Sequence, residues 1–448
     1  MIRINQIKLP VKHTEEQIKK QILKKLKVDS IINYEIVKQS IDARKKDQLL
    51  IIYSVDVEVA NEDKIIKKVN DNNIMLTNTK TYVFPYKNTS STKSSPIIVG
   101  FGPAGLFAAL FLARGGYNPI VIERGEDVDT RTAHIDEFWE NGLLNPESNV
   151  QFGEGGAGTF SDGKLNTLVN DKFGRNRAVL ATFVEYGAPK EILYESKPHI
   201  GTDLLRDVVK NMRKEIIRLG GTVRFSTKLT KLHYNQENIL TSITVRQNEI
   251  DEELPCEQLI LAIGHSARDT FYQLHDEKVQ MTPKSFAVGL RIEHPREMIN
   301  ISQYGASEDA RLLPAASYKL THQTKEGRNV YSFCMCPGGY VVDASSEPNQ
   351  LAVNGMSNHD RNADNSNSAI IVNVEPSDFS SSGPLAGIEF QRELEKAAFL
   401  AGNGAIPIQL FDDFVNNRIS QSLGDIKPSI KGKYSLSNLN DCLPVYIT

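Results

Sequence analysis

A glycine-rich turn near residue 100 is the part of the sequence best suited to chemistry. The apolar stretch Ile97–Val99 enters Gly100-Phe101-Gly102-Pro103-Ala104-Gly105, and residues 106–114 continue with apolar positions at helical spacing. In such a strand–turn–helix unit, the first glycine permits the tight turn, the second lets the backbone approach a diphosphate, and the third allows close packing of helix on strand. The helix N-terminus adds free N–H groups and partial positive charge. The turn therefore predicts a dinucleotide site.

An acidic residue follows at the spacing that this unit requires. Residues 119–122 form a second apolar stretch that ends at Glu123. A carboxylate about 20 residues after the glycines accepts hydrogen bonds from ribose hydroxyls and disfavours a 2′-phosphate, which predicts an adenosine of the FAD or NAD kind. A glycine turn without a ligand is the competing interpretation. The full order of strand, glycines, helix, second strand and acid favours the ligand.

A second glycine-rich run, QFGEGGAGTFSDGK, spans residues 151–164. Its glycines allow backbone amides to approach a diphosphate or a flat ring, and its polar side chains add hydrogen-bonding groups. We expect the following residues of the run to line the site: Gly155, Gly156, Gly158, Thr159, Ser161 and Asp162. A plain flexible loop is the alternative interpretation, since loops of this composition are often only linkers.

Two residues are candidates for catalysis. Lys164 ends the second glycine run and would offset negative charge on a reduced flavin, although a surface lysine explains it equally well. His265 follows a predicted sheet-edge strand and has the proton affinity of a general acid, whereas a histidine that caps a helix start together with Ser266 is the competing interpretation.

Other reactive side chains carry weaker predictions. Cys334 and Cys336 are spaced as neighbours on one face of a strand, which favours buried packing over a place in an active cavity. His359 and Arg361 lie in a stretch rich in Asn, Asp and Ser, where a solvated loop is favoured over substrate contact. We predict no metal site, because the chain has no CxxC pair.

Composition and charge narrow the class of protein. The chain has 448 residues, 40% of them hydrophobic and 24% charged, which fits a globular protein of two or three domains. Its net charge is −3, with a basic excess in the first 95 residues. A solvated basic face explains that excess better than a nucleic-acid partner does. Four cysteines make no disulfide framework, and we find neither a signal peptide nor a membrane span. We therefore expect a cytoplasmic protein.

The elements that position these residues fall into three predicted domains. Residues 1–87 read as β-α-β-β-α-β, with strands at 3–9, 31–37, 49–59 and 81–85, which predicts a ferredoxin-like fold. Thr14 and Gln17 predict a capping box at the first helix, and Asn61 an N-cap at the second. Residues 88–95 predict a linker, 96–285 a dinucleotide-binding domain, and 286–448 a β-rich domain.

Several longer motifs together resemble a known family. They are VGFGPAGLFAA, VIERG, GEGGAGTFSDGKL, LAIGHSARDT, YSFCMCPGGYVV and NGMSNHDRNADNSNSA. They resemble largely uncharacterised bacterial FAD-dependent dehydrogenases of the glutathione-reductase-like flavoproteins, over nearly the whole chain. The resemblance implies an α/β fold with a Rossmann-like, glutathione-reductase-type FAD-binding domain, between an N-terminal ferredoxin-like α+β domain and a β-rich domain on the substrate side.

The resemblance also implies which residues hold FAD. Leu229 would meet the adenine through its backbone, and Ala262 and Gly264 match a closing ATG-like motif of the superfamily. The remaining residues that it assigns to the cofactor are Gly100, Gly102, Pro103, Ala104, Gly105, Glu123, Arg124, the six residues of the second glycine run, and His265. Flavoproteins of this type usually return near the C-terminus with a further glycine-rich segment. This chain stops at Thr448 without one, which predicts a truncated chain or half a site.

These observations predict an FAD-dependent oxidoreductase that passes a hydride between flavin and an unidentified substrate. The second GxGxxG spacing, at residues 153–158, lies within the second glycine run and not in a separate nicotinamide-binding unit, so NAD(P)H, if it is the reductant, is expected to bind only transiently. The alternatives are a non-catalytic flavin- or dinucleotide-binding protein and a truncated flavoprotein with impaired FAD binding.

Overall fold

The first region of the chain is a four-stranded antiparallel sheet with two helices. The computed structural model describes residues 1–78, 80–88, 94–167 and 169–448, so residues 89–93 of the predicted linker lie outside the described part. The elements are β1 (Ile2–Pro10), α1 (Glu15–Leu26), β2 (Asn33–Asp42), β3 (Leu50–Glu58), α2 (Glu62–Val69) and β4 (Ile74–Leu76). The strand order is β2-β3-β1-β4, and the apolar faces of the strands and helices form one core.

The structure confirms some of the local features predicted for this region and contradicts others. The capping box of Thr14 and Gln17 is confirmed, with both reciprocal hydrogen bonds present. Asn61 stands at the start of α2, but its side chain makes no capping hydrogen bond. The last strand was predicted at 81–85, which is wrong. Residues 74–76 pair with β1 instead, while Tyr82 and Phe84 pack their rings on Phe111.

The second region contains a four-stranded parallel sheet of order β11-β5-β6-β7. Its elements are β5 (Ile97–Val99), α3 (Pro103–Arg114), β6 (Ile120–Ile122), α4 (Val128–Asn141), α5 (Arg175–Glu185), α6 (Thr202–Arg218), β7 (Thr222–Arg224), β8 (Thr227–Tyr234), β9 (Leu240–Gln247), β10 (Ile250–Pro255), β11 (Leu259–Leu261) and α7 (Arg268–Asp276). β7 and β8 are separated by a short bend, with Ser226 at a positive φ of 49° between them.

Side-chain alternation along β5 explains how this sheet is covered on both faces. Ile98 joins the core formed with α3 and α6, whereas Ile97 and Val99 join the core formed with β8, β9 and α7. Successive residues of a strand point to opposite faces, and a parallel sheet needs apolar cover on both. The sheet thus brings the carboxyl ends of β5, β6 and β11 to one edge.

The third region is dominated by a sheet of order β12-β17-β14-β13. Its elements are β12 (Phe286–Pro295), α8 (Arg296–Tyr304), β13 (Thr321–Gln323), β14 (Asn329–Cys336), β15 (Tyr340–Asp343), β16 (Val353–Met356), β17 (Asn365–Val374), α9 (Ala386–Ala401), β18 (Ile406–Ile408), α10 (Phe411–Val415), β19 (Ile430–Lys431) and β20 (Tyr434–Leu436). The polar stretch 358–368 was predicted as a loop. Its end is instead part of β17, where residues 366–368 are fully buried because β17 pairs with β12 and β14 on its two sides.

Polar contacts tie the second and third regions together. The indole N–H of Trp139 donates to the Asp343 carbonyl at 2.9 Å. Arg268, at the start of α7, pairs with Glu347 and Glu395, each at 2.6 Å. In the described residues no helix is long and apolar enough to cross a membrane.

Candidate functional site

The glycines of the β5–α3 turn are required for different reasons. A Cβ on Gly100, whose φ is +98°, would lie 2.3 Å from the Ala262 carbonyl oxygen, and a Cβ on Gly105 would lie 1.9 Å from the Gly100 oxygen. These two glycines therefore permit packing of the fold itself. Gly102 is different, since its φ is −70° and the nearest atom to an added Cβ is the Gly156 Cα at 3.7 Å. Among the described residues, nothing excludes a methyl group at Gly102.

The second glycine run lies directly against this turn. A Cβ on Gly156 would lie 2.9 Å from the Cα of Gly102, so the two loops meet backbone to backbone. Gly158 lies beside Pro103, and Pro103 and Ala104 are exposed at the start of α3. The result is a solvent-facing surface of main chain at a helix N-terminus, the arrangement that binds phosphate groups. The structure brings these predicted residues together.

Glu123 joins the two loops through its carboxylate. The side chain is 5% exposed, and it accepts hydrogen bonds from the backbone N–H groups of Phe101 at 2.7 Å, Gly125 at 2.9 Å and Gly153 at 3.0 Å. An ionised carboxylate has about four acceptor positions, so three are used within the protein. The predicted contact with a ribose stays a prediction. What the geometry shows is that Glu123 holds the turn and the second run in one arrangement.

Arg131 on α4 fixes the second run from below, and sequence reasoning missed it. Its guanidinium is fully buried and donates to the carbonyls of Asn149 at 2.8 Å, Val150 at 2.9 Å, Glu154 at 2.7 Å and Gly156 at 3.0 Å. Burial lowers the pKa of Arg131 to about 9, so the group is still cationic at neutral pH. A positive charge is thereby held under a loop suited to an anion. Nothing in the helical pattern of α4 distinguishes this arginine from a surface one.

The three hydroxyl and carboxyl side chains that were predicted to line the site, Thr159, Ser161 and Asp162, are engaged within the protein. The Thr159 hydroxyl donates to the Glu154 carbonyl at 3.4 Å, and the Ser161 hydroxyl donates to the Gly158 carbonyl at 2.7 Å. Asp162 is 1% exposed and accepts hydrogen bonds from the Arg361 guanidinium and the Ser357 hydroxyl. Arg361, which was expected in a solvated loop, is therefore a buried partner of this run.

Lys164 differs from these side chains because, among the described residues, its ammonium makes an ion pair but no hydrogen bond. Its Nζ lies 3.7 Å from Asp162 Oδ2, and among the described residues this buried nitrogen has no hydrogen-bond partner. The oxygens of Asp162 are already occupied by Arg361 and Ser357. An ammonium in this position is available to a neighbouring anion.

A pair of histidines stands on the far side of this cluster. The rings of His199 and His359 are stacked, with centroids 5.3 Å apart, and His199 Nε2 donates to the His359 carbonyl at 2.7 Å. Burial and then the nearby Arg361 lower the pKa of His199 to about 4. His199 is thus neutral at physiological pH.

The other predicted residues lie around the edge of the parallel sheet. Arg124 forms ion pairs with Glu147 at 2.7 Å and Asp269 at 2.9 Å. Leu229 is buried in β8. Gly264 is exposed with a φ of +70°, and nothing lies within 4 Å of a Cβ built there.

His265 is solvent-accessible but surrounded by protein on several sides. Desolvation and then the Arg268 charge lower its pKa. The Ser266 hydroxyl lies 3.5 Å from His265 Nε2, and it donates to the side-chain oxygen of Gln151 in the second glycine run. The structure thereby brings His265 to the same edge as the glycine loops. In the described residues no group of three or more His, Cys, Asp or Glu side chains could hold a metal ion.

Comparison with known proteins supports a flavoprotein. Residues 285–448 match a family described as FAD-dependent protein, C-terminal domain-like, and residues 1–58 match a domain of unknown function. An uncharacterized protein of Clostridium beijerinckii is 50% identical over 451 aligned positions, which cover 100% of this chain and 83% of that protein. The predicted cofactor, FAD, is confirmed by these matches at the level of the family.

Solved structures with partial similarity include two enzymes. The glycerol-3-phosphate dehydrogenase from Bacillus halodurans, complexed with FAD, is 11% identical with a TM-score of 0.30, covering 63% of this chain and 48% of that one. An L-amino acid deaminase from Proteus vulgaris is 9% identical with a TM-score of 0.30, covering 49% of this chain and 63% of that one. At these scores the likeness is distant.

Proposed function

This chain belongs to the same family as the uncharacterized Clostridium beijerinckii protein, and its residues 285–448 match a family of FAD-dependent proteins; from that premise we propose that it is an FAD-dependent oxidoreductase. It passes a hydride between the flavin and a substrate that is not yet identified. NAD(P)H would serve as a transient reductant. The observation that carries the proposal is the main-chain surface formed where Gly102 meets Gly156 at the start of α3.

The absence of a side chain at Gly102 supports the fit of FAD to this surface. Among the residues that the structure describes, a Cβ on Gly102 meets no atom closer than 3.7 Å, so their packing gives no reason for a glycine at this position. A diphosphate held on the N-terminus of α3 gives one, because its oxygens need the space that a methyl group would fill. The N–H groups at the start of α3, together with the loop around Gly156 and Gly158, would hold the diphosphate.

Two buried side chains, Glu123 and Arg131, would fix the conformation of the two loops that form this surface. Glu123 accepts N–H donors from both loops, and Arg131 anchors the carbonyl side of the second run. A binding surface that is fixed before the ligand arrives loses less conformational entropy on binding. Arg131 would also offset the negative charge of the diphosphate from beneath the loop.

The chemistry would depend on residues beside this surface. When bound, the flavin supplies the acceptor and donor of hydride, while the protein positions it and tunes its charge. Lys164, whose Nζ has no hydrogen-bond partner in the described residues, would stabilise negative charge on the reduced ring. His265, at the exposed end of β11, would hold or deliver a proton. Both assignments are proposals.

The finer fold assignment is also a proposal. The strand order β2-β3-β1-β4 with two helices supports a ferredoxin-like domain for residues 1–87. The parallel sheet with the glycine turn after β5 supports a glutathione-reductase-type FAD-binding domain for 96–285, followed by the substrate-side domain 286–448.

The decisive experiment compares FAD binding by the wild-type protein and Gly102→Ala. The added methyl group fits the ligand-free protein, so the unfolding temperature without FAD should not change. The methyl would overlap the diphosphate, and overpacking of about 1–3 kcal/mol corresponds to a loss of FAD affinity of roughly five- to 150-fold. Gly105→Ala is the matched control for a fold defect, because its methyl would strike the Gly100 carbonyl.

Three outcomes are informative. Unchanged FAD affinity in Gly102→Ala would refute the proposal that the diphosphate binds where Gly102 meets Gly156. Failure of the wild-type protein to gain thermal stability from FAD would refute the cofactor for this chain. The third outcome is that the protein binds FAD but its yellow absorbance persists when NADPH or any other electron donor is added anaerobically. This result would show a flavin-binding protein and refute the proposed oxidoreductase activity.

A further inference from the structure

Cys334 and Cys336 do not occupy a regular strand. Along β14, Phe333 pairs with Ala369 and Cys336 with Asn367, so three steps on β14 oppose two on β17, which is a bulge. Cys334 sits in this bulge with a φ of +47°, a left-handed conformation that is rare for a residue with a side chain. In a straight strand the two Cα atoms would be about 6.6 Å apart, near the upper limit for a disulfide. The bulge places the two cysteines against each other, and the Cys336 thiol donates a hydrogen bond to the Cys334 carbonyl at 3.4 Å.

The two thiols differ in accessibility. Cys334 is partly exposed, whereas Cys336 is fully buried. The space around Cys336 exists because residue 355 is a glycine. A Cβ on Gly355 would lie 2.5 Å from Arg291 Nη1, 2.6 Å from Asn367 Oδ1 and 2.7 Å from Cys336 Sγ. A polar pocket around a thiol pair is unlike the apolar packing that the sequence favoured for these residues.

Charge distinguishes the thiols further. The hydrogen bond from Cys336 and the nearby Lys164 and Arg291 lower the pKa of Cys334 to about 6, against burial and the carboxylate of Asp162. The same hydrogen bond and burial raise the pKa of Cys336. Cys334 is therefore the thiolate of the pair, and Cys336 is the protonated partner. Thiolate character combined with partial exposure is what makes a cysteine nucleophilic.

We propose that Cys334 and Cys336 form a redox-active dithiol that reduces a small-molecule or protein disulfide. The Cys334 thiolate attacks one sulfur of the disulfide, forms a mixed disulfide and releases the first thiol, which takes up a proton. Cys336 then loses its proton and attacks the Cys334 sulfur, which forms the Cys334–Cys336 disulfide and releases the second thiol. The dithiol is oxidised by two electrons, and the disulfide is reduced to two thiols.

The test uses the full-length protein with glutathione disulfide as the probe, followed by intact mass and peptide mapping. We expect the wild-type protein to lose two hydrogens, to release two glutathione molecules and to show a linked peptide containing Cys334 and Cys336. Cys336→Ser should stop at the mixed disulfide on Cys334. Cys334→Ser should react at least about ten-fold more slowly at pH 6, where only a lowered thiol pKa provides thiolate.

The controls separate chemistry from folding. Cys442→Ser replaces a buried cysteine whose pKa is raised to about 11 by burial, and it should react as the wild-type protein does. Lys164→Met should move the pH profile of the first step to higher pH, a shift that a merely structural role of these cysteines would not produce. A stable mixed disulfide on wild-type Cys334, or two thiols that stay free in the folded protein and react only after denaturation, would overturn the proposal.

Discussion

The buried guanidinium of Arg131 gives the sharpest test of how the second glycine run is held. In Arg131→Met the side chain keeps most of its bulk, but four carbonyl oxygens of residues 149–156 lose their donor at once. Part of that loss is offset because no charge has to be buried. We expect a net destabilisation of about 3–5 kcal/mol, the range for removing one member of a buried charged network. This is a large part of the about 5–15 kcal/mol that stabilises a typical protein.

The effect of Arg131→Met on unfolding can be measured at α4 itself. The chain has one tryptophan, Trp139, which lies on α4 with Arg131 and is mostly buried. Its fluorescence during urea unfolding reports on this helix, and we expect the midpoint to fall by about 1 M or more. Arg218→Met, which removes an exposed arginine paired with Glu215, is the control and should leave the midpoint unchanged. Equal midpoints for the two variants would refute the anchoring role of Arg131.

Two further substitutions test the neighbouring groups. Because the pKa of His199 is lowered in the folded protein, the unfolded chain takes up a proton at a higher pH than the folded one does, and stability should decrease as the pH falls from about 6.5 to about 4. In His199→Gln the melting temperature should depend less steeply on pH over that window. Parallel curves for the variant and the wild-type protein would contradict this prediction. Glu123→Gln leaves at least one of three N–H donors without an acceptor, so it should cost about 1–3 kcal/mol and weaken FAD binding in a titration. Glu237→Gln, at an exposed position, is its control. An equal effect of the two substitutions would contradict the role of Glu123 in holding the two loops together.

The parts of the fold that the sequence predicted are those specified by local chemistry. The glycine spacing placed β5, the turn and α3 where the structure has them. Gly105 is required by the nearby Gly100 carbonyl, although Gly100 itself is required by the distant Ala262 carbonyl. The capping box at Thr14 is also local. The strand predicted at 81–85 was wrong because aromatic residues suit a strand and a docking segment equally, and only the position of Phe111 on α3 decides between them.

The parts that could not be predicted depend on contacts between distant residues. Asp162 and Arg361 are 199 positions apart and meet in a buried pair, so the polar stretch around Arg361 looked solvated. Arg131 lies in a helix whose pattern is that of any amphipathic helix. The bulge at Cys334 arises from pairing with β17, and spacing alone gave the two cysteines a regular strand.

The ion pairs of Arg268 determine how this protein can be divided. Its partners Glu347 and Glu395 belong to the third region, and the Trp139 indole reaches the Asp343 carbonyl from the second. A recombinant fragment that starts at residue 285 would keep both carboxylates and lose Arg268, so Glu395 would lose its arginine while Glu347 would keep Arg392. Because the Arg268 and Trp139 contacts join the two regions, proteolytic nicking near residue 285 should leave the two pieces associated.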